Sequence, residues 1–153
     1  MQGIRQILLV GLFVGVLAGM LLPGSAGARA IGVASCSVNT TPVNFGIYWG
    51  NAVLNSTGTI TVTCSLPATT TVQLDNGQHV LRGFATRKMA AANGNTLSYN
   101  LFTDAGHTLV WGDGTIGSRT VTGSKLTVYG QMPAAQKANP GSYSDSVLVT
   151  IIW

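Results

Sequence analysis

Short stretches in which apolar and polar residues alternate recur along the chain from about residue 58 onward. In GTITVTCSL, Ile60, Val62 and Cys64 fall on one face of an extended strand, and threonines fall on the other. The same period of two is present in TTVQLDNG, LSYNLFTDAG and KLTVYGQM, and it is typical of half-buried β-strands. The positions that these further stretches predict to face a core are Val72, Leu74, Leu97, Tyr99, Leu101, Leu126, Val128 and Met132.

Turn-forming combinations of Asn, Asp, Gly and Pro separate the alternating stretches, as at DNG, NGN, DAG, GDG and NPG. Only the segment RGFATRKMAAANG is compatible with a short helix, and it carries no sustained apolar stripe. The pattern predicts roughly six or seven strands at the spacing of a sandwich. We therefore expect an all-β fold, a single immunoglobulin-like β-sandwich.

The C-terminal strand is unusual because it is apolar on both faces. One face carries Val147, Val149, Ile151 and Trp153, and the other carries Leu148, Thr150 and Ile152. Such a strand belongs in the middle of a sheet, or beside a strand that the chain does not supply. A neighbouring strand of the same chain is the alternative, and periodicity alone does not choose between the two.

The N-terminal 30 residues have the pattern of a secretory signal peptide. Arg5 precedes an unbroken apolar stretch from Ile7 to Leu22, and small residues follow as far as Ala30. The apolar stretch is shorter than the roughly 20 residues that a membrane-spanning helix needs. We expect cleavage after Ala30, or alternatively after Ala26, which leaves residues 31–153 as one exported domain without a stable membrane anchor.

Charge gives little indication of a partner. The whole chain has a formal net charge of +4, and removal of Arg5 and Arg29 with the signal segment halves that excess. The longest basic run in the remainder is Arg87-Lys88, and aromatic residues do not alternate with basic ones. Nucleic-acid binding is therefore not expected.

The two cysteines, Cys36 and Cys64, both lie in the predicted exported domain. An even number of cysteines in an exported chain indicates a disulfide, with two free buried thiols as the alternative. Their spacing matches no metal site, because there is no second cysteine pair and the two histidines are isolated.

The remaining candidate residues favour structural roles. Trp49 and Trp111 are large aromatic residues that we expect to pack in the core or at a corner, although a sugar-stacking surface is the alternative. Asp113 lies between two glycines and is expected in a turn, not in a calcium site. His79, His107 and Asp104 do not cluster, and no G-x-S-x-G nucleophile motif is present. We therefore predict no catalytic residue, no metal and no cofactor.

A series of motifs in fixed order resembles the spore coat protein U domain, a family that includes the pilin subunits of archaic chaperone–usher pili. The motifs extend over the predicted exported domain from Cys36 to the C-terminal strand. They are FGIY at 45–48, GTITVTC at 58–64, LDNG at 74–77, RKM at 87–89, LSYNLF at 97–102, WGDG at 111–114, VYGQM at 128–132 and GSYSDSVLVTI at 141–151.

The resemblance implies a sandwich that lacks its last strand and leaves an apolar groove beside the C-terminal strand. A periplasmic chaperone would lend a strand to this groove, and an N-terminal extension of the next subunit would later replace it, which is a form of β-augmentation. The implied groove residues are Val147, Val149, Ile151 and Trp153, and the carboxylate of Trp153 would be available to chaperone bases. The implied partners are the chaperone, an outer-membrane usher and neighbouring pilins.

The resemblance implies a protein in transit through the periplasm and then at the cell surface, with roles in cell adhesion and biofilm. A secreted coat or matrix protein that does not polymerise is the alternative, and a carbohydrate-binding module is a further one. After cleavage at Ala30, only Ile31 to Ser35 precede Cys36, whereas a donor strand needs on the order of 10 residues. We therefore expect a subunit that accepts a strand but donates one poorly, as a tip or minor subunit would.

Overall fold

The computed structural model describes residues 34–80, 82–115 and 117–153, which belong to one compact unit from Ala34 to Trp153. The predicted signal peptide lies outside the described residues. Within them no helix is long and apolar enough to cross a membrane. The strands are β1 (Cys36–Thr41), β2 (Leu54–Cys64), β3 (Thr71–Leu74), β4 (Arg87–Ala90), β5 (Thr96–Phe102), β6 (Val121–Thr122), β7 (Lys125–Met132) and β8 (Val149–Ile152).

The strands form two antiparallel sheets. The larger has the order β1-β2-β7-β5-β4, and the smaller has the order β6-β3-β8. The described residues contain eight strands, more than the six or seven predicted. One of them, β6, has only two residues, which is too short to produce an alternating pattern. The segment considered for a short helix contributes strand β4 instead, since Arg87 and Met89 alternate inward while Lys88 is exposed.

Both sheets contribute side chains to a single core, as expected for a sandwich. The inward positions predicted from the period of two are confirmed: Ile60, Val62, Val72, Leu74, Leu97, Tyr99, Leu101, Val128 and Met132 are buried, and Leu126 is partly buried against them. Directly opposed residues in neighbouring strands share a face, so these positions form one continuous apolar layer between the sheets. The all-β sandwich expected from the sequence is therefore confirmed.

The two tryptophans that were expected to pack have different environments. Trp111 is fully buried, and its indole nitrogen donates a hydrogen bond to the Val72 carbonyl oxygen at 3.1 Å. Trp49 is 68% exposed, so the expectation of packing is wrong for this residue. The neighbouring residue Tyr48 is buried and pairs with Gly141, and the extended backbone then directs Trp49 away from the core.

Two glycines in the larger sheet allow a loop to lie against its inner face. A Cβ atom on Gly58 of β2 would come within 2.6 Å of the Thr41 carbonyl oxygen, and one on Gly130 of β7 would meet side-chain carbons of Val43 and Phe45. The segment that follows β1 therefore folds over these glycines. Val43 and Phe45 consequently pack partly buried against the core.

Candidate functional site: a groove between two sheet edges

An apolar groove lies between the segment that ends β1 and the segment that leads into β8. β1 is an edge strand of the larger sheet, and β8 is an edge strand of the smaller sheet. Among the described residues, no strand pairs with the second edge of either one. Two unpaired backbone edges therefore border the groove.

The groove has an apolar floor and a volume of about 450 Å³. Its rims are the segments 40–46 and 143–149, and its polar lining residues include Asp145. The buried residues that line it are Tyr48, Ile60, Leu74, Met89, Tyr99, Leu101, Val128 and Met132. The groove therefore reaches the side chains of the sandwich core, which remain buried beneath its rims.

Val38 shows that the opening continues along β1. Val38 is paired with Val62, and opposed residues of an antiparallel pair point to the same face of the sheet. Val62 is buried in the core, so Val38 also points inward, yet it remains 42% exposed. An inward-facing valine that solvent reaches indicates that a covering element is missing on this side of β1.

The four groove residues implied by the resemblance have different positions. Val147 and Val149 line the groove directly. Ile151 is partly buried against the core cluster but is outside the groove lining. Trp153 is exposed at the end of the seam, where its indole nitrogen donates a hydrogen bond to the Ala34 carbonyl oxygen at 3.2 Å.

A disulfide between Cys36 and Cys64 joins the first residue of β1 to the last residue of β2. Among the described residues β1 pairs only with β2, so this bond attaches the edge strand covalently at one end. Closure of a loop of this length restricts the unfolded chain by about 3 to 4 kcal/mol in the entropy model. The disulfide therefore fixes β1 at the end opposite the groove rim formed by residues 40–46.

The other border is held from the β3 side by two carboxylates. Asp75, which follows β3, accepts a hydrogen bond at Oδ1 from the Leu148 backbone N–H at 2.9 Å. Asp145 accepts hydrogen bonds from the Gln78 N–H at 2.9 Å and from the Tyr99 hydroxyl at 2.6 Å. These contacts hold the C-terminal segment on the side that faces β3. Among the described residues, no strand pairs with its opposite edge.

The Tyr99 hydroxyl bonds to Asp145 beneath the rim of the groove. Burial, followed by the hydrogen bond to the Asp145 carboxylate, raises the pKa of Tyr99 well above its ordinary value. The phenol therefore stays protonated as a hydrogen-bond donor at physiological pH. It links the floor of the groove to the rim formed by the C-terminal segment.

The buried side chain of Arg87 connects several of the segments that surround the groove. Arg87 donates from Nε and one terminal nitrogen to the Asp75 carbonyl oxygen, at 3.0 and 2.6 Å, and also to the Trp111 carbonyl oxygen at 2.7 Å. Its other terminal nitrogen donates to Asn100 Oδ1 at 2.7 Å. Burial lowers the pKa of Arg87, while Tyr99, Asp75 and Asp145 oppose that change. Arg87 therefore joins β3, β4, β5 and the Trp111 loop.

The polar residues considered for chemistry have structural roles. Asp104 and Asp113 both accept hydrogen bonds within their own loops, which lower the pKa of each carboxyl group. His107 lies between the rings of Phe102 and Tyr129. Across the described ranges, no three His, Cys, Asp or Glu side chains are grouped so as to hold a metal ion.

Sequence reasoning did not identify the residues that position the groove. Arg87, Asp75 and Asp145 lie in the motifs RKM, LDNG and GSYSDSVLVTI, but no spacing rule joins them. Phe45 begins the motif FGIY and Val43 lies just before it, but neither belongs to an alternating stretch that would predict burial. Arg87 itself gives no clue to burial, because the next residue of the same short strand, Lys88, is also basic and is exposed.

Comparison with known proteins agrees with this architecture. A solved chain from the CsuC-CsuE chaperone-tip adhesion subunit pre-assembly complex of the archaic chaperone-usher Csu pili of Acinetobacter baumannii superposes with a TM-score of 0.57 at 20% identity. The match covers 79% of the present chain but only 40% of that chain, and it supports the fold alone.

Sequence comparison is more specific. "Protein U" of Myxococcus xanthus is 31% identical over 128 residues, an alignment that covers 72% of this chain and 71% of the relative. The family model described as Spore Coat Protein U domain matches residues 24–150, which include every element from β1 to the start of β8. The chain therefore belongs to the Spore Coat Protein U domain family.

Proposed function

We propose that this protein is an exported structural subunit of a chaperone–usher pilus, and that its groove accepts a β-strand from a partner protein. The observation that carries the proposal is the open apolar groove between two unpaired sheet edges, β1 and β8. A strand laid in this seam would cover the groove and pair with free backbone groups. Binding of this kind is β-augmentation, in which main-chain hydrogen bonds contribute affinity and alternate pockets set the register.

The size of the groove suits the side chains of one strand. A cavity of about 150 Å³ in a protein core accommodates one benzene molecule. The groove volume of about 450 Å³ thus has room for roughly three large apolar side chains. Three such side chains at alternate positions of a strand extend over about five residues, or roughly 17 Å.

A periplasmic chaperone is the proposed first donor of the strand, and a neighbouring subunit is the proposed second donor at an outer-membrane usher. Family membership supports these partners, and so does the shared fold with a chain from a chaperone and tip adhesion subunit complex. Without a donor, the apolar groove and the β8 edge would be exposed to association with other chains. Capture by a chaperone during transit would prevent that association.

Within the fibre we place this subunit at the tip or among minor components. Its groove has room for roughly three large apolar side chains, whereas the five residues expected to precede Cys36 after cleavage carry only two, Ile31 and Val33. The second candidate is a coat or matrix protein that does not polymerise. The name of the matched family and the 31% identity to Protein U favour it.

Co-expression with a periplasmic chaperone of an archaic chaperone–usher system from the same organism tests the proposal. We expect the wild-type exported chain to co-purify with the chaperone as a one-to-one complex. Val149→Asp places a carboxylate in the apolar groove, at a cost of several kcal/mol unless it is paired, and should abolish the complex.

Thr127→Asp is the matched control, because Thr127 lies on the exposed face of β7 and the change introduces the same charge. This variant should form the complex in wild-type yield. Normal capture of Val149→Asp would contradict the groove as the chaperone site. A wild-type chain that is secreted in stable form without the chaperone would favour the coat-protein candidate.

A further inference from the structure

The outward face of β8, together with Leu148 just before it, presents apolar side chains that filling of the groove would not cover. Leu148 is 63% exposed and Ile152 is 44% exposed. Both residues alternate with Val149 and Ile151, which point inward, so they lie on the opposite face of the sheet from the groove. Their exposure therefore needs a separate explanation.

The neighbours of these two residues within the sheet are polar. Ile152 is paired with Thr71 of β3, and Thr150 is paired with Gln73. Leu148 is hydrogen-bonded to Asp75, through the Asp75 N–H to the Leu148 carbonyl oxygen at 3.1 Å. A polar hollow with Gln73, Asp113 and Thr150 in its lining adjoins this side of β8.

Apolar residues in a sheet are stabilised by apolar residues at the adjacent positions of the next strand on the same face. For Leu148 and Ile152, β3 supplies none. On the other side of β8, no strand of the described residues is paired with it. A donor strand would pair along that edge. The donor strand is therefore the element that is able to supply apolar cross-strand partners for both residues.

We propose that the strand which fills the groove is recognised on both of its faces. Its inward side chains enter the groove, and its outward side chains include two large apolar residues, four positions apart, that pack beside Leu148 and Ile152. The spacing of four follows from the separation of Leu148 and Ile152, because paired strands advance at the same rise and keep the same face. This inference rests on the proposed strand-accepting function.

A donor strand with apolar residues on its inward face alone fills the groove but leaves Leu148 and Ile152 in water. A donor strand with both features covers both faces of β8. The outward pair thus distinguishes the cognate donor from other strands of alternating polarity, which is a specificity determinant separate from the groove pockets.

Two synthetic peptides of about ten residues test the inference. Both carry the same valines at alternate inward positions, and they differ at two outward positions, four apart, which hold isoleucine in one peptide and serine in the other. Each fluorescently labelled peptide is added while the oxidised exported chain refolds. Peptide bound to the monomeric chain is then measured by size-exclusion chromatography over a concentration series.

We expect the isoleucine peptide to bind the wild-type chain about tenfold more tightly, since two cross-strand pairs are involved and each contributes up to about one kcal/mol. The advantage should disappear in the Leu148→Ser/Ile152→Ser variant. It should persist in the control Leu66→Ser, because Leu66 is an exposed apolar residue outside β8.

The outcomes separate this inference from the function on which it rests. Equal binding of both peptides to the wild-type chain would overturn the inference and leave the strand-accepting groove supported. An isoleucine advantage that remains in the Leu148→Ser/Ile152→Ser variant would also overturn it, because the advantage would then reflect general hydrophobic binding. Failure of both peptides to bind the wild-type chain would overturn the strand-accepting function itself.

Discussion

The indole nitrogen of Trp153 donates a hydrogen bond to the Ala34 carbonyl oxygen at 3.2 Å. This contact joins the residue after β8 to the segment just before β1, so it connects the smaller sheet to the larger one. It lies close to the Cys36–Cys64 disulfide, at the end of the seam opposite Val43 and Phe45. Trp153 thereby links the two strands that border the proposed acceptor site.

Trp153→Phe should weaken this link while an aromatic ring is retained. We expect the free energy of unfolding to fall by about 0.5 to 1 kcal/mol, since an exposed hydrogen bond contributes little. Amide hydrogen exchange should become faster in β1 and β8. Trp49→Phe is the control, because Trp49 is exposed and its indole has no hydrogen-bond partner among the described residues. Equal effects of the two substitutions would show that the Trp153 contact has no role.

Arg87→Lys should destabilise the fold by about 3 kcal/mol or more, measured by urea unfolding. An ammonium group does not reproduce the planar arrangement that reaches Asp75, Asn100 and Trp111 together, and buried carbonyl groups would lose their donors. The reciprocal change Lys88→Arg is the control, because Lys88 is exposed on the same strand and should vary by less than about 0.5 kcal/mol. Wild-type stability of Arg87→Lys would contradict the proposed support.

Asp104 should contribute an acid-sensitive part of the stability. Hydrogen bonds from Leu109 and Thr108 hold its pKa below the ordinary value of 3.8. The unfolded chain therefore binds more protons in this range, and the contribution is present above pH 3.8 and lost as the pH falls through the folded-state pKa. Urea unfolding between pH 6 and pH 2 should show a shallower acid decline for Asp104→Asn than for the wild type.

Asn93→Ala is the control for this measurement. The Asn93 side chain accepts a hydrogen bond from the Asn95 N–H at 3.1 Å in a comparable loop but carries no charge. The substitution should lower stability by a similar amount at every pH. An unchanged acid decline in Asp104→Asn would show that the Asp104 carboxylate is not responsible.

The chaperone-bound subunit should form complexes with donor subunits but no long polymers of itself. After cleavage at Ala30, the residues from Ile31 to Ser35 carry only two large apolar side chains, Ile31 and Val33, whereas the groove has room for roughly three. Incubation of the purified complex alone and with neighbouring subunits, followed by electrophoresis without boiling, measures assembly. Long homopolymers that resist mild denaturant would contradict the acceptor role.

The alternation of apolar and polar residues was sufficient to identify which side chains face the core. Ile60, Val62, Val72 and Leu74 are buried as predicted, because a strand with one buried face imposes a period of two whatever its partner is. The expectation for Trp49 rested on the size of its side chain and not on alternation, and it was wrong. The side on which Trp49 lies is set by the pairing of Tyr48 with Gly141, which lies far along the chain.

What the sequence by itself determined is therefore a sandwich with an unusually apolar last strand. Whether that strand is central or at an edge was decided only by the tertiary structure, which pairs it with β3 and, within the described part of the chain, with no strand on its second edge. The residues that position the groove likewise come together from distant segments, as when Arg87 contacts Asp75 and Trp111. Strand order and buried polar contacts depend on pairings between segments that are distant in sequence. The alternation of apolar and polar residues within one strand does not predict such pairings.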